Sequence, residues 1–158
     1  MRVTTVNLRT LLPSLLLPAV VGGAGAVIVS MGMESYQLLS KPPLTPPGWV
    51  FSVVWTVLYL LMGYAAYLVK SSSYSDKQNA LQTYYIQLAL NFLWVVFFFR
   101  FGQLWMSAVV LLLLTASVLL TMKRFGECDT TASRLLLPYF LWCVFALYLN
   151  IGAAVLNR

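Results

Sequence analysis

The sequence predicts an all-α integral membrane protein built as a five-transmembrane-helix bundle, and three observations carry that prediction. Hydrophobic residues make up 61% of the 158 residues and charged ones only 9%, with a mean hydropathy of +0.84, whereas a water-soluble domain carries about a quarter charged residues. The apolar residues fall into five blocks, near 9–32, 48–69, 82–101, 104–122 and 134–156. A helix rising ~1.5 Å per residue needs about 20 residues to cross ~30 Å of hydrocarbon, so each block can span. Runs such as "VVLLLLTASVLL" (109–120) do not alternate apolar with polar, which argues against the strands of a barrel. Five spans fill residues 1–158 as a single transmembrane domain and leave almost nothing for a soluble one.

The first block follows Arg2 and Arg9 and passes "AGA" (24–26), which resembles a signal-peptide cleavage site. Its apolar stretch, from Leu11 past Val29, exceeds the usual 7–15-residue signal core, and a retained helix is expected. Pro13 and Pro18 would kink or tilt it, and Gly22, Gly23 and Gly25 allow another backbone to come close. That glycine cluster reads as intramolecular packing, with a dimer seam as the alternative.

Between the first two blocks lies "SKPPLTPPGWVF" (40–51), with four prolines. Proline fixes φ and pushes the preceding residue toward extended conformations, so residues 41–47 are expected to be a stiff, extended segment that continues neither helix. Pro47 sits just before the second helix, where a missing N–H costs little. One proline would stop a helix; two pairs imply that the shape of the loop matters, as in a rigid cap.

The net charge is +6, yet no basic run suggests nucleic acid, and the lipid bilayer is the expected partner. Assigned to alternate sides, Arg2, Arg9, Lys70, Lys77, Lys123, Arg124 and Arg134 fall with the amino terminus, and Lys41, Arg100 and Arg158 fall opposite. This asymmetry predicts a cytoplasmic N terminus, with Trp49 and Trp105 in the interfacial aromatic belt. Cys128, read as a loop residue, and Cys143, within the last span, lie at different depths, so no disulfide between them is expected.

Absences narrow the function. There is no histidine, and Glu34, Asp76, Glu127 and Asp129 are read as loop residues, so no ionisable relay of the kind ion-coupled transporters use lies at membrane depth. No Walker loop, nucleophile elbow, zinc spacing or haem-attachment motif occurs, and neither a metal nor a cofactor is expected. No inverted repeat is visible. What remains at depth is aromatic and amide chemistry. Trp55 and Tyr59 are four apart and Asn91 and Trp94 three apart, while Tyr139, Trp142, Ala146, Leu149 and Asn150 step by threes and fours, so each set shares a helical face. Such faces either pack the bundle, with Asn91 and Asn150 as interhelical hydrogen-bond partners, or line a pocket.

The segments "YQLLSKPPLTPPGWVFSVVWTVLYLLMG" (36–63), "QLALNFLWVVFFF" (87–99) and "RLLLPYFLWCVFALYLN" (134–150) together resemble the tryptophan-rich sensory protein family, whose mitochondrial members are the translocator protein or peripheral benzodiazepine receptor. The three segments cover more than a third of the chain, in order. The resemblance implies a five-helix bundle whose proline-rich first loop caps a ligand pocket for porphyrins, isoquinoline carboxamides and benzodiazepine-type drugs, with cholesterol a ligand of animal members. It implies ligand-binding roles for Trp55, Asn91, Trp94, Trp142, Ala146 and Leu149, with Pro46 and Pro47 in the cap. Tyr59 joins them on the helical spacing above. It further implies that Trp55 and Trp142 are the residues any light-dependent breakdown of protoporphyrin IX would use. The physics agrees: indole faces suit a flat macrocycle, and a chain without histidine favours a metal-free porphyrin, as a ligand rather than a cofactor.

The chain also departs from the family pattern. Leu44 and Ser35 stand where many members carry tryptophan, which thins the aromatic wall near the cap. The cholesterol motif is missing, since Ile151 takes the tyrosine's place and Arg158 lies ten residues beyond Tyr148. Gln82 and Ile86 replace the small residues some relatives use to dimerise, so a homodimer interface is not inherited. Three classes of function follow as expectations: a receptor or sensor binding protoporphyrin IX or a similar hydrophobic molecule, an enzyme degrading porphyrin with light and oxygen, and a tetrapyrrole or lipid transporter. A bacterial plasma membrane is the expected location.

Overall fold

The structure, a computed structural model, describes residues 6–158, and Arg2 lies outside them. Five helical spans form. In chain order the helices are α1 (Leu8–Leu38), α2 (Gly48–Ser71), α3 (Lys77–Val95), α4 (Leu104–Cys128), the short α5 (Thr130–Leu135) and α6 (Leu137–Leu156), with a π-helical turn (Val96–Arg100) ending α3.

The helices outrun the apolar blocks. The first continues to Leu38 rather than stopping near residue 32, the third starts at Lys77 rather than 82, and the fourth runs to Cys128 rather than 122. Hydropathy marks only the hydrocarbon crossing, while a helix satisfies its own backbone and continues into the headgroup zone. Glu34, Glu127 and Cys128 accordingly sit in terminal turns of helices, not in loops, and Asp76 and Asp129 are N-cap residues. Asp129 accepts a hydrogen bond from the Ala132 N–H at 2.9 Å. That cap starts α5, which breaks the fifth span into two helices at Leu136. Pro138 is tolerated because it lies in the first turn of α6.

Around the bundle the order is α2, α1, α3, α4, α6, with α5 reaching back to α2 at one end. Helix α1 is joined to its neighbours by contour. A Cβ added at Gly22 would stand 2.7 Å from the Tyr59 ring, one at Gly63 would stand 2.8 Å from the Ser14 carbonyl, and one at Gly32 would run into the Phe99 carbonyl of the π turn. The glycine cluster is thus partly intramolecular packing, as expected, although Gly23 has nothing within 4 Å. Pro13 and Pro18 both lie inside α1.

The two ends of the bundle sort the charges as the alternation predicts. At one end Asn7 N–H donates to the Tyr67 hydroxyl at 3.2 Å, and the Glu127 carboxylate holds the Tyr74 phenol above its ordinary pKa. At the other, the first loop meets the end of α6. There Asn157 Oδ1 accepts from Ser40 N–H at 2.9 Å and its Nδ2 donates to the Ser40 carbonyl at 2.8 Å. The Tyr148 hydroxyl donates to the Pro43 carbonyl at 2.9 Å, and the buried Pro42 ring lies over Gly152, where a Cβ would come within 2.6 Å. The loop is not extended throughout, contrary to expectation. It turns at Pro43–Leu44, with Leu44 at φ +67°, and the Thr45 hydroxyl donates to the Pro42 carbonyl at 2.7 Å. The α6 anchors hold residues 40–43 flat against the bundle, and the chain must turn there to reach α2.

Gly32→Ala should lower the melting temperature in detergent by an amount matching the ~1–3 kcal/mol typical of overpacking, whereas Gly23→Ala should leave it unchanged or raise it. Equal melting of the two variants would remove the close approach of α1 to the π turn from the account of stability.

Candidate functional site

Three inner faces share one spacing. Trp55, Tyr59 and Met62 on α2, Gln87, Asn91 and Trp94 on α3, and Tyr139, Cys143 and Ala146 on α6 each step by four and then three, which keeps a residue set on one side of a helix. Their polar tips meet in the interior. The Tyr59 hydroxyl donates to Asn91 Oδ1 at 2.7 Å, Asn91 Nδ2 donates to the Tyr139 hydroxyl at 3.1 Å, and that hydroxyl donates to Gln87 Oε1 at 2.7 Å. Gln87 Nε2 ends the run against the Met62 sulfur at 3.8 Å. The run is directional, and no hydroxyl in it competes for the same proton.

A second network lies further along α3. Trp94 Nε1 donates to Asn150 Oδ1 at 3.0 Å, the Ser107 hydroxyl reaches the same oxygen at 3.1 Å, and Asn150 Nδ2 donates to the Leu104 carbonyl at 2.9 Å. One amide therefore joins α3, α4 and α6. Trp55 fills the space beside these networks, with its ring centroid 5.6 Å from Tyr59, 5.8 Å from Trp94 and 6.1 Å from Tyr139. Trp55, Tyr59, Asn91 and Trp94 thus come together, but they pack against one another.

Open volume lies elsewhere. A cleft of about 650 Å³ runs between α2 and α6, walled by Val53, Val54, Val57, Leu58 and Leu61 on one side and Pro138, Leu141, Trp142 and Phe145 on the other. Of the residues expected to bind a ligand, Trp142 alone lines it. Trp142 and Tyr139 do not share a face as their spacing suggested: three residues turn a helix by ~300°, and the remaining ~60° puts Tyr139 inside and Trp142 on the flank toward α2. Trp142 meets Phe51 at 5.8 Å and Phe145 at 5.4 Å, and its buried indole N–H has no hydrogen-bond partner among the described residues. Ala146 and Leu149 are buried on α6. Pro46 is half-buried and Pro47 exposed; neither lines the cleft.

Sequence reasoning missed Gln87 and the aliphatic wall of α2. Gln87 was findable, since it lies four residues before Asn91 on the same face. Val53, Val57 and Leu61 carry no signal that separates a cleft wall from a lipid-facing surface.

Comparison with known proteins places these features. The model of the TspO/MBR family matches residues 14–156. The chain is 34% identical over 152 residues to the tryptophan-rich protein TspO of Archaeoglobus fulgidus, covering 96% of this chain and 99% of that protein. It is 40% identical over 124 residues to the tryptophan-rich sensory protein of Cereibacter sphaeroides, covering 78% and 77%. With the translocator protein of Homo sapiens it shares 38% identity over 122 residues, covering 75% and 72%.

Asn91→Ala should destabilise the detergent-solubilised protein by about 1–3 kcal/mol, because it strips the Tyr59 hydroxyl of its acceptor inside the bundle; a melting curve unchanged from wild type would show that water reaches the network. Asn157→Ala, which cuts both bonds to Ser40, should speed deuterium exchange of the Ser40 amide by about tenfold while leaving α3 and α4 protected.

Proposed function

The chain belongs to the TspO/MBR family, and from that membership we propose that it is a membrane receptor of the sensing type that binds protoporphyrin IX or a similar flat hydrophobic molecule in the cleft between α2 and α6. The cleft itself carries this reading: its volume of about 650 Å³ lies within the ~300–1,000 Å³ usual for ligand sites. Its walls are aliphatic and aromatic, which suits a macrocycle taken from the bilayer. Trp142 supplies an indole face to stack on and an unpartnered N–H that a bound carbonyl or carboxylate could accept after a small ring rotation. The distribution of basic side chains supports a cytoplasmic N terminus, and a bacterial plasma membrane is the proposed location.

A second reading, light- and oxygen-dependent degradation of the bound porphyrin, is favoured by one observation. Trp55 is packed within 6.1 Å of Tyr59, Trp94 and Tyr139, a cluster of oxidisable rings beside the cleft.

Titration of the purified protein with protoporphyrin IX in the dark should give saturable quenching of tryptophan fluorescence. Trp142→Ala should weaken binding by about tenfold, and Val57→Trp, which fills the cleft, should abolish it. Absence of saturable quenching, or full binding by Val57→Trp, would reject the cleft as the site. Under illumination, a new absorbance band that disappears in Trp55→Phe while binding persists would put the degradative reading first.

A further inference from the structure

We propose that the cavity between the end of α1 and the π turn of α3 is a binding site for the headgroup of an anionic phospholipid, held by Arg100. This cavity, of about 180 Å³, is separate from the α2–α6 cleft and differs from it in chemistry. Ser35, Tyr36, Phe98, Phe99 and Arg100 are among the residues that line it, two of them hydroxyl-bearing and one cationic.

The π turn builds the site. One extra residue in a helical turn rotates everything after it by about 100°, and here that places Phe99 and Arg100 beside α1 rather than a further step around α3. Gly32 permits the approach, since a Cβ there would strike the Phe99 carbonyl. Tyr36 packs against Phe98 at 6.0 Å and Phe99 at 5.5 Å, which joins α1 to the π turn beside the cavity.

Charge selects the ligand. Three described cations lie at this end of the bundle. The Lys41 ammonium is committed to the Gln37 and Leu39 carbonyls and to the face of Tyr36, and the Arg158 guanidinium lies over the Trp105 ring. Arg100 lines the cavity, and the one ion pair among the described residues joins Arg124 to Glu127 at the opposite end, so no described carboxylate, including the exposed Glu34 one residue before Ser35, pairs with it. A guanidinium without an acidic partner, beside two hydroxyls, matches a phosphodiester. The exposed Phe101 and Trp105 next to it mark the depth at which headgroups lie, which favours a lipid phosphate over a soluble one.

The test is native mass spectrometry of the detergent-purified full chain titrated with phosphatidylglycerol or with phosphatidylcholine of the same acyl chains. Wild type should retain one phosphatidylglycerol in preference to phosphatidylcholine. Arg100→Gln should lower that occupancy about fivefold, the effect of one basic side chain on an anionic headgroup. Ser35→Trp, which fills the cavity without altering charge, should do the same, and Arg158→Gln should not. Equal losses in Arg100→Gln and Arg158→Gln would reduce the effect to diffuse charge and overturn the proposal, as would full retention by Ser35→Trp or equal retention of the two lipids. Displacement of phosphatidylglycerol by millimolar inorganic phosphate would reassign the site to the free anion. Melting curves of each variant identify any loss that comes from unfolding, and if Arg100→Gln does not fold, Ser35→Trp decides alone.

Discussion

Hydrocarbon offers no water to a stranded polar group, so the rotations of α2, α3, α4 and α6 are constrained by the partners that their buried amides meet. Leucine gains little by turning from lipid toward another helix, and apolar packing alone would tolerate several rotations. Asn150 removes that freedom for α4 and α6, because its carboxamide must face both Trp94 Nε1 and the Leu104 carbonyl. Asn91 does so for α2 and α6 through Tyr59 and Tyr139. The net worth of a single interhelical bond of this kind is only ~0.6 kcal/mol on average, less than the ~1–3 kcal/mol cost of stranding one partner, so these bonds act chiefly by penalising arrangements that leave a partner unmet.

The seams of the bundle use different means. Helix α1 is seated by shape, with glycines receiving the Tyr59 ring, the π turn and its own Ser14 carbonyl against Gly63. Helices α3, α4 and α6 are held by amides. Between α2 and α6 the backbones stay apart along most of their length, and the bridging contacts are between side chains, Phe51 with Trp142 and Trp55 with Tyr139. The cleft of about 650 Å³ lies along this seam. The cleft follows from which helices are not drawn together as much as from which residues line it.

The five spans, the two ends of the bundle and the inward faces of α2 and α3 were legible in the sequence, because hydropathy, charge alternation and helical spacing each report one of them directly. The burial of Asn91 and Asn150 could be expected too, since an amide inside a span has few alternatives. The π turn was not legible: nothing in Val96–Arg100 marks an extra residue, and the Gly32 it packs against lies on a helix more than sixty residues earlier. The split of Tyr139 from Trp142 was hidden for a related reason. A spacing of three or four fixes a face to within ~60°, and the α6 inner face and its cleft-facing flank are that close together.

The first loop shows why its prolines come in two pairs. The first pair is an anchor: Pro42 packs over Gly152 and Pro43 offers its carbonyl to Tyr148, both on α6. After the turn at Leu44, the second pair leads into α2 at Gly48. Consecutive prolines hold an extended form of ~3.1 Å per residue, so Pro46 and Pro47 act as a short strut between the anchored turn and the start of α2. The loop is fastened to the end of α6 and continuous with the beginning of α2, the two helices that flank the cleft. It does not need to cover the cleft to influence it. The loop thus fixes the distance between one end of α6 and one end of α2, while α5 bridges to α2 at the opposite end, so the separation of the two helices that flank the cleft is set at both ends.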